Sequence, residues 1–430
     1  MAPAIAAALA GAELTAKDVI AIGVSGQLDG CVPVDANGEP TAPCLIWMDR
    51  RAEGVLPELP DDFRERTGLT ADASHMAAKI RWLQQQGTTA ARFHQPVSYL
   101  VSRMTGEHVF DHGHASTTMV YNLATRGFDD DLLSRFGIDS ASLPRIADAH
   151  SVAGELTDIG ARLTGLLPGV PVAVGTGDDF ATPLGAGLTE PGTVACVLGT
   201  AEVVGALSPS IVIDDAGLVE THAYATDAYF VENPGWLSGG ALSWLSETVG
   251  FSDARELDQA AAEVPPGADD LLFLPALSGA MAPEWIASAR GCFYGLTPAH
   301  GRGHLARAVL EGCSFAMRDV VDRLGELNVR RERMLLLGGG ANSSLWAQIR
   351  ADVCRLPIDI ARRVDTCPIG AAILAAVAAG IHSGVGDCAR LVSGPVPRAT
   401  PGANSDLYSR PYDRYRRLFD ALRPMMISDG

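Results

Sequence analysis

Four stretches of this chain repeat one pattern, a β-branched apolar run that stops at a glycine turn, and this pattern narrows the fold more than any other feature. They are residues 19–26 (VIAIGVSG), 170–177 (VPVAVGTG), 193–200 (TVACVLGT) and 334–340 (MLLLGGG). Continuous apolar runs read as strands buried on both faces, so helices must cover the sheet above and below, which predicts α/β architecture. Apolar positions at three-to-four spacing predict helices over 77–86, 303–324 and 344–355. The stretch 369–379 is apolar throughout and is expected to be a core helix, and a last helix is expected over about 412–422. Asn37-Gly38 predicts a hairpin turn between Val32-Pro-Val34 and residues 43–47. The run LTGLLPG (163–169) marks a domain boundary, giving a first domain of 1–170 and a second of 171–430, and the Pro/Gly-rich 393–405 reads as a surface connection.

Charge and cysteine content exclude several functions. Lys and Arg number 33 against 51 Asp and Glu, a net charge of −18 that repels phosphate backbones and anionic lipid. Neither nucleic acid nor a membrane is therefore expected as partner, and a small molecule is. Eight cysteines without a C-x-x-C pair suggest neither a zinc site nor a disulfide framework, but reduced core thiols in a cytoplasmic protein. The Ala-rich start (MAPAIAAALAGA) has no preceding cation, so it reads as an amphipathic or buried helix and not as a signal peptide. No apolar stretch reaches the roughly 20 residues of a bilayer span.

The glycine turns carry the candidate chemistry. Asp178 and Asp179 follow Gly175-Thr-Gly at the end of a strand, where ligands of open α/β sheets collect and a carboxylate can accept a hydroxyl proton. The same pair would also serve as turn or helix-capping aspartates. Gly199-Thr200 ends the next strand and offers N–H groups and a hydroxyl to a phosphate. Gly338-Gly339-Gly340-Ala341-Asn342 precedes a helix, an arrangement that favours anions, though it is neither a Walker A loop nor G-x-G-x-x-G. His112 and His114 beside Asp111 read as a structural turn, with no metal site expected.

Taken in order, GVSGQ (23–27), LIWMDRR (45–51), GTGD (175–178), LGT (198–200), ARGCFYGL (289–296), HLARAVLEG (304–312) and GGGANS (338–343) resemble the FGGY carbohydrate kinases, closest to their xylulokinase branch. The resemblance implies two ribonuclease-H-like domains of the actin/hexokinase type with a cleft between them. It implies transfer of the ATP γ-phosphoryl, with Mg2+, to a hydroxyl of a small sugar, D-xylulose or a related ketose or polyol, and a homodimer is expected. Asp178 matches the family's catalytic base. Gly199, Thr200, Gly339, Gly340 and Asn342 match its nucleotide-binding turns, while Gln27, Leu28, Asp29, Trp47, Asp49, Asp178 and Asp179 fall where it contacts sugar. Phosphoryl transfer needs little more than positioning, charge stabilisation and a carboxylate near the accepting hydroxyl.

Three departures shape the expectations. The family's opening Asp-x-Gly-Thr hairpin has no counterpart here, so the first domain is expected to lack a hairpin, with weak or no kinase activity; a sugar- and nucleotide-binding pseudokinase is the rival reading. The family's Gly-Gln-Met-His-Gly is Gly26-Gln-Leu-Asp-Gly30, which puts Asp29, an acceptor when ionised, where a histidine is usual and favours a ligand presenting hydroxyl donors. Its Ser-Gly-Glu-Arg-Thr-Pro is Ser278-Gly-Ala-Met-Ala-Pro283, which removes a charged pair.

Overall fold

In the computed structural model, which describes residues 1–392 and 394–428, the apolar runs of the second half become the centre of a seven-stranded sheet. Strand β1 is Ser25–Gly26 and β2 is Thr176–Gly177; then come β3 (Gly192–Leu198), β4 (Ala201–Ser208), β5 (Glu220–Ala223), β6 (Tyr229–Leu237), β7 (Arg331–Leu337), β8 (Ile358–Ile360) and β9 (Val396–Ala399). The large sheet runs β5-β6-β4-β3-β7-β8-β9. Its β3, β7 and β8 are parallel neighbours, while the β4, β6, β5 side and β9 are antiparallel. Val194, Cys196, Met334 and Leu336 face one core and Ala195, Leu335 and Leu337 the other, as strands apolar on both faces require.

The first half is built differently. Its strands are two to four residues long and pair two by two: β1 with β2 in parallel, 32–34 with 92–94, 109–111 with 145–147, and 152–155 with 171–173. The predicted strand over 19–26 is thus shorter than expected. Only Ser25–Gly26 and a bridge from Ile22 to Val172 pair, and Ile20 is 63 % exposed, so this run is not buried on both faces. A groove of about 480 Å³ lies along it, walled by Gly23, Ser25, Cys367, Ala371 and Ala375.

The helices follow the periodicity. We label α1 (Met76–Gln85), α2 (Pro96–Thr105), α3 (Asp178–Gly185), α4 (Gly239–Val249), α5 (Arg302–Glu326), α6 (Ser344–Cys354), α7 (Cys367–Ala378) and α8 (Ser409–Ser428). Sixteen of the 25 residues of α5 are buried against the large sheet and its neighbours. The opening stretch is a helix, Ala2–Gly11, but none of its residues is buried; Ile5 and Leu9 only lean on the first core. Residues 35–38 form the predicted turn, although 32–34 finds its ladder partner in 92–94. The expected surface connection over 393–405 instead supplies edge strand β9; Ser393 lies outside the described residues. All eight cysteines are free thiols, five of them buried. Among the described residues no helix is long and apolar enough to cross a membrane.

Residues 171–177 ladder with 22–26 and 152–155, not with the large sheet, so the strand leading to Asp178 belongs with the first half of the fold.

Candidate active site

Asp178 and Asp179 form the first turn of α3, directly after β2. The strand is anchored from beneath: the Thr176 hydroxyl donates to Asp111 Oδ2 at 2.7 Å, and that carboxylate also accepts from the Gly113 and His114 N–H groups. Burial opposes ionisation of Asp111, but the His114 ring and these donors overcome it and hold its carboxyl below the ordinary value. His114 is therefore a structural partner of Asp111, and no group of three or more potential metal ligands occurs among the described residues.

The structure brings Asp29 to the two aspartates. Burial first, then the charges of Asp178 and Asp29, push the Asp179 carboxyl up to about 7. Asp29 sits in the left-handed region (φ 56°), with its N–H donating to Gln95 Oε1 at 2.9 Å and its C=O accepting from Lys79 Nζ at 2.6 Å. Lys79 is fully buried on α1, and burial lowers its pKa despite the Asp29 and Asp49 charges nearby. Asp49 pairs with Arg51 at 2.8 Å. Leu28 is in the core, 7 % exposed, with its side chain against Gly177, where it props the strand end that leads to Asp178. Gln27 is half-buried, and Trp47 is 51 % exposed.

Several neighbours were not legible as site residues. Lys79 lay inside a helical pattern, and its signal was a lysine flanked by Met76, Ala77, Ile80 and Leu83 on a buried face. His75 precedes α1 and places Nδ1 3.3 Å from Asp29 Oδ1. Glu220 and His222 alternate along β5, and Glu232 on β6 faces His222 at 3.4 Å. Burial, followed by the charges of Asp179, Glu220, Asp29 and Asp178, pushes Glu232 well up, while burial takes His222 down to about 4. Near neutrality His222 is therefore a neutral imidazole, facing a Glu232 carboxyl whose ionisation burial opposes. No local motif announces these residues, because strand pairing brings them together.

The glycine turns form a second cluster. Gly199-Thr200 joins β3 to β4, and the Thr200 C=O accepts from the Ser238 and Gly240 N–H groups at 3.1 and 3.0 Å, so the start of α4 is fastened to this turn. Gly338 takes φ 80° directly over Leu198, where an added Cβ would come within 2.8 Å of the Leu198 oxygen; only glycine lets the 338–342 loop lie against the end of β3. A side chain at Gly339 would meet nothing within 4 Å, and Gly199, Thr200, Gly339 and Asn342 are all exposed. The surface of both turns is thus open to a phosphate chain, which fits a nucleotide, although the Gly199 N–H itself donates to the Ala201 C=O at 3.0 Å. Beneath them Glu202 and Arg350 make a fully buried bidentate ion pair at 2.7 and 2.8 Å, joining β4 to α6.

A carboxylate group thus lies at one set of strand ends and paired glycine turns at another. The family model described as the N-terminal domain of the FGGY family of carbohydrate kinases matches residues 1–185, and the C-terminal domain model matches 194–379. The chain belongs to the FGGY family of carbohydrate kinases. It is 32% identical over 404 residues to a glycerol kinase of Gloeobacter violaceus, covering 89% of this chain and 79% of that protein. It is 29% identical over 419 residues to the xylulose kinase of Escherichia coli K12, covering 95% and 86%. The solved xylulose kinase from Rhodospirillum rubrum superposes with a TM-score of 0.84 at 29% identity, covering 95% of this chain and 85% of that one.

Proposed function

We propose that the chain transfers the γ-phosphoryl of ATP to a hydroxyl of a small polyol or ketose, with glycerol and D-xylulose the first substrates to test. The observation that supports this most directly is the convergence of Asp29, Asp178 and Asp179, seen in their mutual charge interactions. Three carboxylates near one another accept hydroxyl protons and repel an anionic sugar, so a sugar acid is the poorer acceptor. Asp178 is the base that receives the hydroxyl proton, and Asp29 and Asp179 orient the acceptor. Gly199, Thr200, Gly339, Gly340 and Asn342 hold the nucleotide through backbone groups. Mg2+ would bind mainly through phosphate oxygens and water, which needs no dedicated protein cage. We also propose that the domain division follows the pairing of 171–177 with the first half and falls between residues 185 and 192, later than the 170/171 boundary expected from sequence. A homodimer and a cytoplasmic location complete the reading, and light scattering checks the first.

A coupled ADP-release assay tests the reaction. Asp178→Ala is expected to lower kcat by about 10²–10⁴-fold while ATP binding stays within a few-fold. Unchanged turnover in that variant refutes the base. A second reading, binding without transfer, draws on the sparse pairing along residues 19–26 and the groove beside it. Calorimetric binding of ATP and glycerol with no ADP release would favour it.

A further inference from the structure

Asp29 is held in a left-handed conformation by partners that are themselves buried: Gln95 and Lys79 at 0 % exposure and His75 at 4 %. A non-glycine residue persists there only where its surroundings over-determine it. Two of those partners grip its main chain, and His75 alone grips the carboxylate. The other face of the same ring points to the second domain. His75 Nε2 lies 3.9 Å from Glu220 Oε1 and has no hydrogen-bond partner among the described residues. Glu220 is 3 % exposed on β5, and its Oε1 also accepts the Thr70 N–H at 2.8 Å.

We propose that His75 is a positioning residue that bridges the two domains, orienting the Asp29 carboxylate through Nδ1 and facing the Glu220 carboxylate through Nε2 at ion-pair distance. Asp29 Oδ2 is thereby left to accept a substrate hydroxyl; it has no hydrogen bond among the described residues. This step rests on the proposed polyol or ketose acceptor. A doubly protonated imidazole donates to Asp29 at Nδ1 while its charge attracts Glu220 across 3.9 Å, and a neutral ring would lose that attraction. The surroundings favour the doubly protonated form: burial opposes the charge, but Asp29, Glu220 and Asp72 outweigh it and raise His75 to about 9. Lys79 on the following helix, His222 and Glu232 on the strands beside Glu220, and Asp178 and Asp179 beside Asp29 are further ionisable groups that face this cluster. Domain separation that drew Glu220 away would loosen Asp29 as well, which makes the acceptor pocket sensitive to the interdomain contact.

Two measurements test the bridge. Histidine ring resonances of the full chain, followed by NMR across pH 5–10, are expected to show His75 still protonated at pH 8. Asp29→Asn and Glu220→Gln should each move its titration down by about one unit or more toward 6.5. Glu220→Gln keeps an acceptor for Thr70 and so preserves the local fold. A titration untouched by both substitutions overturns the bridge. In the ADP-release assay with glycerol and with D-xylulose, His75→Leu should raise the acceptor KM about tenfold with ATP KM within about twofold, and His75→Asn, which retains a donor near Nδ1, should recover most of it. An equal rise in acceptor KM and ATP KM, or no change for the acceptor, overturns the positioning role. If the wild-type chain phosphorylates neither probe, the proposed reaction falls, while the ring titration still decides the bridge.

Discussion

At the scale of single residues, the buried Glu202–Arg350 pair carries a large expected energetic weight. Both side chains are at 0 % exposure, and the guanidinium also stacks 4.0 Å from the Trp346 ring, whose Nε1 donates to the Leu310 C=O. Two charges removed from water tolerate this only because each satisfies the other. Removing one partner leaves an uncompensated buried charge, so Arg350→Met is expected to cost about 3–5 kcal/mol in a denaturant melt. Adding Glu202→Leu to that variant should recover most of the loss. Because the pair joins the strand after Thr200 to the helix after Asn342, the single variant should also raise ATP KM more than acceptor KM.

At the scale of elements, the contact between α3 and α7 is closer than ordinary side chains allow. A Cβ on Gly370 would stand 2.1 Å from the Ala181 oxygen, and one on Gly185 would stand 1.9 Å from the Thr366 oxygen. Both obstacles are backbone, which cannot swing aside as a flexible side chain would. Thr366 Oγ1 donates to the Thr182 C=O at 2.7 Å across the same crossing. Gly370→Val is therefore expected to destabilise by about 3 kcal/mol, read as a lower urea midpoint, and to reduce turnover because α3 carries Asp178 and Asp179. Gly386→Ala is the control. That glycine lies in a short helix with nothing nearer than 4.0 Å to an added Cβ, so stability should stay level or rise by about 0.5–1 kcal/mol.

At the scale of the whole molecule, β5 is the outer strand of the large sheet, and the first domain covers it. The Thr221 N–H donates to the Gly68 C=O at 3.0 Å, the Ala223 N–H to Ser116 Oγ at 3.2 Å, and Arg64 reaches the Asp214 C=O at 2.7 Å. An edge strand is thus closed by the other domain and not left to pair with another molecule. The acidic cluster behind this contact makes stability depend on pH. Asp179 holds its proton to about 7 in the folded chain against 3.8 for an exposed aspartate, so between those values the folded state binds the extra proton and its contribution falls as pH rises. His75, raised to about 9 from 6.5, loses its contribution in the same direction between those values. His94 and His222, lowered to about 3 and about 4, act oppositely below 6.5 and partly cancel Asp179. The clean measurement is a difference: relative to wild type, Asp179→Asn should gain stability as pH rises from 4 to 7, seen as converging and then crossing melting temperatures. A constant difference across that range would contradict the Asp179 shift.

The residue order by itself determined the α/β class, the central strands of the second domain, the helices that cover them and the glycine turns at the strand ends. Each of these is local: an apolar run of β-branched residues, a 3.6-residue period or a glycine at a turn acts within about ten residues. The sequence also placed Asp178 at a strand end, since the helix begins where Gly177 stops. Tertiary structure decided the rest. It took Leu28 into the core, left Ile20 and the Ala-rich start in solvent, turned part of 393–405 into an edge strand, and grouped 171–177 with the first domain. It alone assembled Asp29 with His75, Lys79 and Glu220, residues up to 191 positions apart in the chain. Burial and strand register create that cluster, and neither is written in any short segment.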